Sequence, residues 1–103
     1  MSSWVEKLSA ELAKVPGVFL QKSKFSEAPA YFADGKELLH FHGDAAVDLR
    51  LGRKLIRARR EELKTDERVE LRKSSSADWV EVSMSSKKDV AFVVELVRAA
   101  LAI

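Results

Sequence analysis

Asp34-Gly35 is the most constraining feature of this chain. The dipeptide sits between Ala30 to Ala33 and Lys36 to His42, and it supplies the two residues of positive φ that a type I′ turn requires. Flanking segments joined by so short a loop pair as an antiparallel hairpin. A further turn at Gly43-Asp44 leads into Ala46 to Leu51, which extends the hairpin into a meander. Upstream, Val18 to Lys22 reads as another strand, separated from Pro29 by the polar connection Ser23 to Glu27.

Helical periodicity brackets this region. Ser2 and Ser3 can cap a first helix that carries Trp4, Val5, Leu8, Leu12 and Val15 at helical spacing and stops at Pro16-Gly17. Gly52 introduces a helical stretch from Arg53 to Leu63. Glu67 to Arg72 and Trp79 to Met84 form a second hairpin around Lys73 to Asp78, with Val69, Leu71, Val80, Val82 and Met84 alternating onto one face. Ser86-Lys87-Lys88-Asp89 has the form of a capping box. The helix it opens presents Val90, Val93, Val94, Val97 and Leu101, broadened by Phe92 and Leu96. The order α-β-β-β-β-α-β-β-α contains no repeated βαβ unit, so it predicts an α+β fold in which helices pack on an antiparallel sheet. With 103 residues, no internal repeat and no linker, the expectation is one domain over residues 1–103.

Composition narrows the class. Hydrophobic residues make up 47% and charged residues 33%, with four Gly and two Pro, which excludes collagen-like and wholly disordered chains. The absence of cysteine excludes a disulfide framework, a thiolate metal site and a thiol nucleophile, and fits a reducing compartment. The longest purely apolar runs reach about five residues, and Glu6, Lys7, Glu11 and Lys14 interrupt the N-terminal region. The expectation is a cytoplasmic chain with no membrane segment.

The hairpin register predicts a candidate site. Uninterrupted pairing across Asp34-Gly35 sets Tyr31 opposite Leu38, so Tyr31, Leu38, His40 and His42 share one face while Phe32, Leu39 and Phe41 form core on the other. The length of the next turn then decides which side chains of Ala46 to Leu51 join the histidines. An odd loop near Gly43 to Ala45 sends Val47, Leu49 and Leu51 to the core and brings Asp48 and Arg50 to the histidines, which separates apolar from polar more cleanly than an even one. The predicted ligand-binding face therefore carries Tyr31, His40, His42, Asp48 and Arg50. His40, His42 and Asp48 are its catalytic candidates, because imidazoles titrate near neutrality and a carboxylate can orient one. Two His and one Asp without a further ligand, beside a repelling Arg50, make too thin a set for a metal. No metal and no cofactor are assigned.

The charge is unevenly distributed. Residues 50–60 hold six bases and no acid, whereas the segments on either side each carry two more acids than bases, so a chain of net +2 would be −4 without them. On a continuous helix Arg53, Arg57, Arg60 and Lys64 fall in one sector, a stripe able to meet a polyanion such as nucleic acid. Arg59 instead projects between the buried leucines, where a carboxylate partner is expected. Trp4 is expected in the core. The chain has no glycine-rich phosphate loop, GxSxG elbow, HExxH or EF-hand pattern, and Ser74 to Ser76 has no histidine placed to activate it.

Gly35-Lys36-Glu37-Leu38-Leu39-His40-Phe41-His42-Gly43, followed by Asp48-Leu49-Arg50-Leu51, Asp66-Glu67-Arg68-Val69, Ser76-Ala77-Asp78-Trp79-Val80 and Asp89-Val90, resembles the small bacterial luciferase-domain proteins. The resemblance runs from about residue 30 onward. It carries His40, His42, Asp48, Arg50, Asp78 and Trp79 over as family-pattern residues. The family name comes from a related domain in fungal light-emitting enzymes, which implies that oxygen-using chemistry is one outcome, although the bacterial members have no established activity. In that alternative, His40 or His42 deprotonates an oxidisable phenolic or enolic substrate, Asp48 orients the imidazole and Arg50 stabilises the anion. A fold-level similarity to MmcQ/YjbR-like proteins, which also place a W-V-x-V strand before a terminal helix, implies nucleic-acid binding but has no close motif behind it. The leading expectation is a module that binds a small molecule or a protein partner, with nucleic acid the less favoured partner.

Overall fold

The computed structural model describes residues 3–22, 29–71 and 78–102. Ser2, the connection at 23–27, Arg72 and the loop serines 74–76 fall outside the described residues. The elements run α1 (Trp4–Leu12), β1 (Phe19–Lys22), β2 (Pro29–Ala33), β3 (Lys36–Phe41), β4 (Ala46–Arg50), α2 (Arg53–Ala58), α3 (Arg60–Thr65), β5 (Val69–Leu71), β6 (Trp79–Ser83) and α4 (Lys87–Leu101). The strands form a six-stranded sheet in the order β1-β2-β3-β4-β6-β5, with every neighbouring pair antiparallel. This is the predicted α+β class. Among the described residues, no helix is long and apolar enough to cross a membrane.

Local chemistry sets most of the element ends. Ser3 accepts a hydrogen bond from the Glu6 amide (3.1 Å) and starts α1, and Ser86 accepts from the Asp89 amide (3.4 Å) to start α4. Asp34 and Gly35 take φ of 52° and 75°, the pair of positive values the type I′ turn needs. Alternation places Leu39, Val47, Leu49, Val80 and Val82 on one sheet face, where they share a buried cluster with Leu8 and Leu12 of α1, Leu55 and Ile56 of α2, Leu63 of α3, and Val93, Leu96 and Val97 of α4. Trp4 packs at the edge of this cluster, half-buried.

Sequence reading and structure part at two places. The first is β3, where Tyr31 pairs with Leu39 and Phe32 with Glu37, so that Leu38 is an extra residue in a β-bulge. The bulge lets the consecutive leucines 38 and 39 both enter the core. It also exchanges the faces predicted for β2. Tyr31 turns into the core and meets Phe41 edge-on at 6.0 Å, while Phe32 lies on the histidine side, buried but outside the main cluster. The second is the stretch from Arg53 to Leu63, which is two short helices broken at Arg59 (φ −113°, ψ 20°). The Arg59 guanidinium is held there by Glu62 (2.6 Å) and by Glu95 of α4 (3.0 Å), the carboxylate partnership the sequence suggested. Arg53 and Arg57 are exposed on α2, and Arg60 and Lys64 on α3, with Lys64 3.9 Å from Glu61. The four cations do not share one helix.

Arg68 ties β5 to α4, placing its guanidinium 2.7 Å from Asp66, 3.1 Å from Asp89 and over the Phe92 ring. The hydrogen bonds from Arg68 hold the Asp66 carboxyl below its usual range. Burial alone would raise Asp89, but the Ser85 amide (2.7 Å) and Arg68 outweigh it, and Asp89 is also held low. A carboxyl depressed in the folded state contributes stability above its unfolded pKa of about 4 and loses it as pH falls through the folded value. Urea unfolding of the wild type should thus lose stability as pH falls below about 5. Asp89→Asn should be less stable at neutral pH and show a shallower loss over the same range.

Candidate functional site

The sheet face opposite the main cluster derives its chemistry from register. Phe41 pairs with Val47, and the His42 amide donates to the Ala46 carbonyl (2.8 Å), so Gly43, Asp44 and Ala45 form an odd loop. Gly43 adopts φ +78°, which a side chain would resist. The odd loop puts His40 directly opposite Asp48. Asp48 in turn lies opposite Glu81, and Glu81 opposite Glu70. Side chains at directly opposed positions of one face are neighbours, and like charges there repel. One row across β3, β4, β6 and β5 therefore reads His40, Asp48, Glu81, Glu70.

Contacts turn the row into a cluster. His40 places Nε2 2.8 Å from Asp48 Oδ2 and Nδ1 3.1 Å from Glu37 Oε2. Glu37 reaches this face because the bulge at Leu38 shifts the alternation, and it is only 2% exposed, with Asp48 at 6%. A carboxylate thus faces each nitrogen of the His40 ring. His42, largely exposed, sets Nδ1 2.5 Å from Glu81 Oε2. With Nδ1 donating to the carboxylate, Nε2 is the nitrogen left to accept. The Trp79 ring lies 5.1 Å from the His40 ring at 46°.

Of the five residues predicted to share the face, the structure brings together His40, His42, Asp48 and Arg50. Tyr31 is absent from it because the bulge carries its side chain into the core. Arg50 pairs opposite Trp79 at the end of the face, with its guanidinium 3.9 Å from Asp78. A cleft of about 310 Å³ opens beside that end, lined among others by Glu37, Arg50, Asp78, Lys36 and Leu101.

Glu37 and Glu81 were missed as site residues. Glu81 carries a readable signal, since Val80 and Val82 on the core face imply that it points the other way. What local pattern lacks is that β6 inserts beside β4, which alone brings Glu81 to Asp48 and His42. For Glu37, the signal is a pair of consecutive leucines that a regular strand cannot bury on one face.

Fold and cluster together define an α+β domain with helices packed on one sheet face and a histidine–carboxylate row on the other. The luciferase-domain family model matches residues 35–100, well over half of the chain and every residue of the row. The chain belongs to the luciferase-domain family. Neither a curated protein nor a solved structure gives a match.

Removing a buried partner costs more than removing an exposed one. Asp48→Ala takes a carboxylate from beside His40 and should lower unfolding stability by about 2 kcal/mol in urea titration. Glu81→Gln, at the more exposed end of the cluster, should change it by less than about 1 kcal/mol.

Proposed function

We propose that this luciferase-domain chain is a small, cytoplasmic, single-domain module that binds a small molecule at the His40–His42–Asp48 face. The observation that carries the reading is His40 held between Glu37 and Asp48, both buried. Burying carboxylates on a sheet face costs stability that an apolar pair would not. Glu37 also lines the adjoining cleft of about 310 Å³, at the small end of the range that accommodates ligands. The face is rich in acceptors, and Arg50 is drawn to Asp78, so the favoured ligand presents hydroxyl or amine donors. The lack of cysteine supports the reducing setting.

A second reading, acid–base catalysis, is favoured by the His42–Glu81 pair. A carboxylate on Nδ1 fixes the tautomer that offers Nε2 as a base, the arrangement general-base catalysis uses. Here Glu81 takes the orienting role that the sequence had suggested for Asp48. Polyanion binding through Arg53, Arg57, Arg60 and Lys64 is supported less, with the cations divided between two short helices.

The binding reading is tested by titrating a library of small hydroxylated and amino compounds into isotopically labelled protein. The expected result is saturable amide shifts concentrated at Glu37, His40, Asp48 and Trp79, weakened at least about tenfold by His40→Ala, a loss of about 1.4 kcal/mol. Shifts confined to other surfaces, or unaltered by that substitution, refute it. For catalysis, turnover of an oxidisable phenol or enol should fall at least about a hundredfold in His42→Ala. Turnover unchanged by His42→Ala removes the second reading.

A further inference from the structure

We propose that His42, Asp48 and Glu81 form a binding site for a divalent transition-metal ion. This deepens the binding reading and rests on the same face. One ligand atom from each of the three side chains lies within 4.8 Å of the other two, and the residues come from neighbouring places in the sheet: His42 just past the end of β3, Asp48 in β4 and Glu81 in β6. Ligand atoms on an ion at metal–ligand distances of about 2.0–2.2 Å sit roughly 3–4 Å apart. Binding an ion therefore requires the side chains to draw closer, and exposed His42 and half-buried Glu81 are the two with freedom to rotate.

Three further observations favour an ion. Asp48, Glu81 and Glu70 stand directly opposite one another on adjacent strands, which concentrates negative charge on this part of the face and favours a cation there alongside His40 and His42. Asp48 already has the partner a metal-ligating carboxylate characteristically has, because His40 Nε2 contacts Oδ2 and is itself set by Glu37 on Nδ1. Such outer partners orient a ligand and tune its basicity. Arg50, the cation that argued against a metal at the sequence level, is turned to Asp78 at the end of the face. Glu81 supplies the ligand that the set of two His and one Asp lacked.

The donor set selects the kind of ion. One imidazole and two carboxylates suit zinc, manganese or ferrous iron better than calcium, which takes oxygen ligands alone. Where His42 Nδ1 binds the metal, a proton it donates to Glu81 Oε2 is released to solvent. Three protein ligands leave at least one position for water or for a small molecule.

The test uses the full, untagged chain stripped with a chelator and titrated with Zn²⁺ alone by calorimetry, with Co²⁺ absorption to report the donor geometry. The expected result is one equivalent of Zn²⁺ bound, with Ca²⁺ at least tenfold weaker. Glu81→Gln and His42→Ala should each weaken Zn²⁺ by at least tenfold while leaving the far-ultraviolet circular dichroism and the melting temperature close to wild type. His40→Gln, which changes no ligand, should also weaken Zn²⁺, by about 10–100-fold. Absence of Zn²⁺ binding below millimolar concentration overturns the proposal, as does affinity unchanged in the Glu81→Gln/His42→Ala double variant or Ca²⁺ binding as tight as Zn²⁺. Repeating the small-molecule titration in excess chelator separates the two readings. Compound binding to a protein that ignores Zn²⁺ overturns the metal site and leaves the binding reading standing, whereas Zn²⁺ binding without any compound binding does the reverse.

Discussion

The register between β3 and β4 governs the rest of this structure. With Gly43, Asp44 and Ala45 as an odd loop, Leu39 meets Leu49 and Phe41 meets Val47 on the face the helices cover, and His40 meets Asp48 on the other. A slip of one residue would send Val47 and Leu49 out of the core and Asp48 into it. Burying two aliphatic side chains is worth about 1.5–3 kcal/mol each, and an unpaired carboxylate among them would cost several more. The hydrophobic core and the polar cluster therefore enforce the same register from opposite sides of one strand.

The bulge at Leu38 is the second device. It permits consecutive leucines to enter one core and, by shifting the alternation, delivers Glu37 to His40. Without it, Glu37 and His40 would lie on opposite faces, because residues three apart in a regular strand do. Bulges re-aim side chains in this way at the edges of functional sites. The extra residue at Leu38 within β3 and the left-handed backbone at Gly43 just beyond it together position the chemistry that the strand carries.

The family match begins at residue 35 and ends at residue 100, so Glu37, His40, His42, Asp48, Trp79 and Glu81 all fall inside it. Outside it lie α1, β1 and β2, which contribute Leu8 and Leu12 to the core and extend the sheet beyond β3. The division is physically sensible: the matched part holds the strands that build the row and the helix α4 that backs them. The segments before it lengthen the sheet and cover one end of the core.

Much of this was local and therefore legible in the sequence. The Asp34-Gly35 turn, the serine caps of α1 and α4, the alternating valines of β6 and the odd loop at Gly43 each depend on residues a few positions apart, whose φ preferences, hydrogen bonds or apolar spacing decide the outcome alone. That sufficed to place His40, His42, Asp48 and Arg50 on one face. Tertiary structure decided the rest. Tyr31 and Phe32 exchanged faces because a bulge at Leu38 lets both leucines of β3 enter the core; the leucine pair hints at an irregularity, but which residue bulges is fixed only by packing in the assembled sheet. The helix broke at Arg59, whose side chain is held by Glu62 and by Glu95, thirty-six positions away on α4. Glu81 reached His42 only because β6 pairs with β4 in preference to lying at the sheet edge, and strand order is selected by the burial of whole faces, which is a property of the assembled chain.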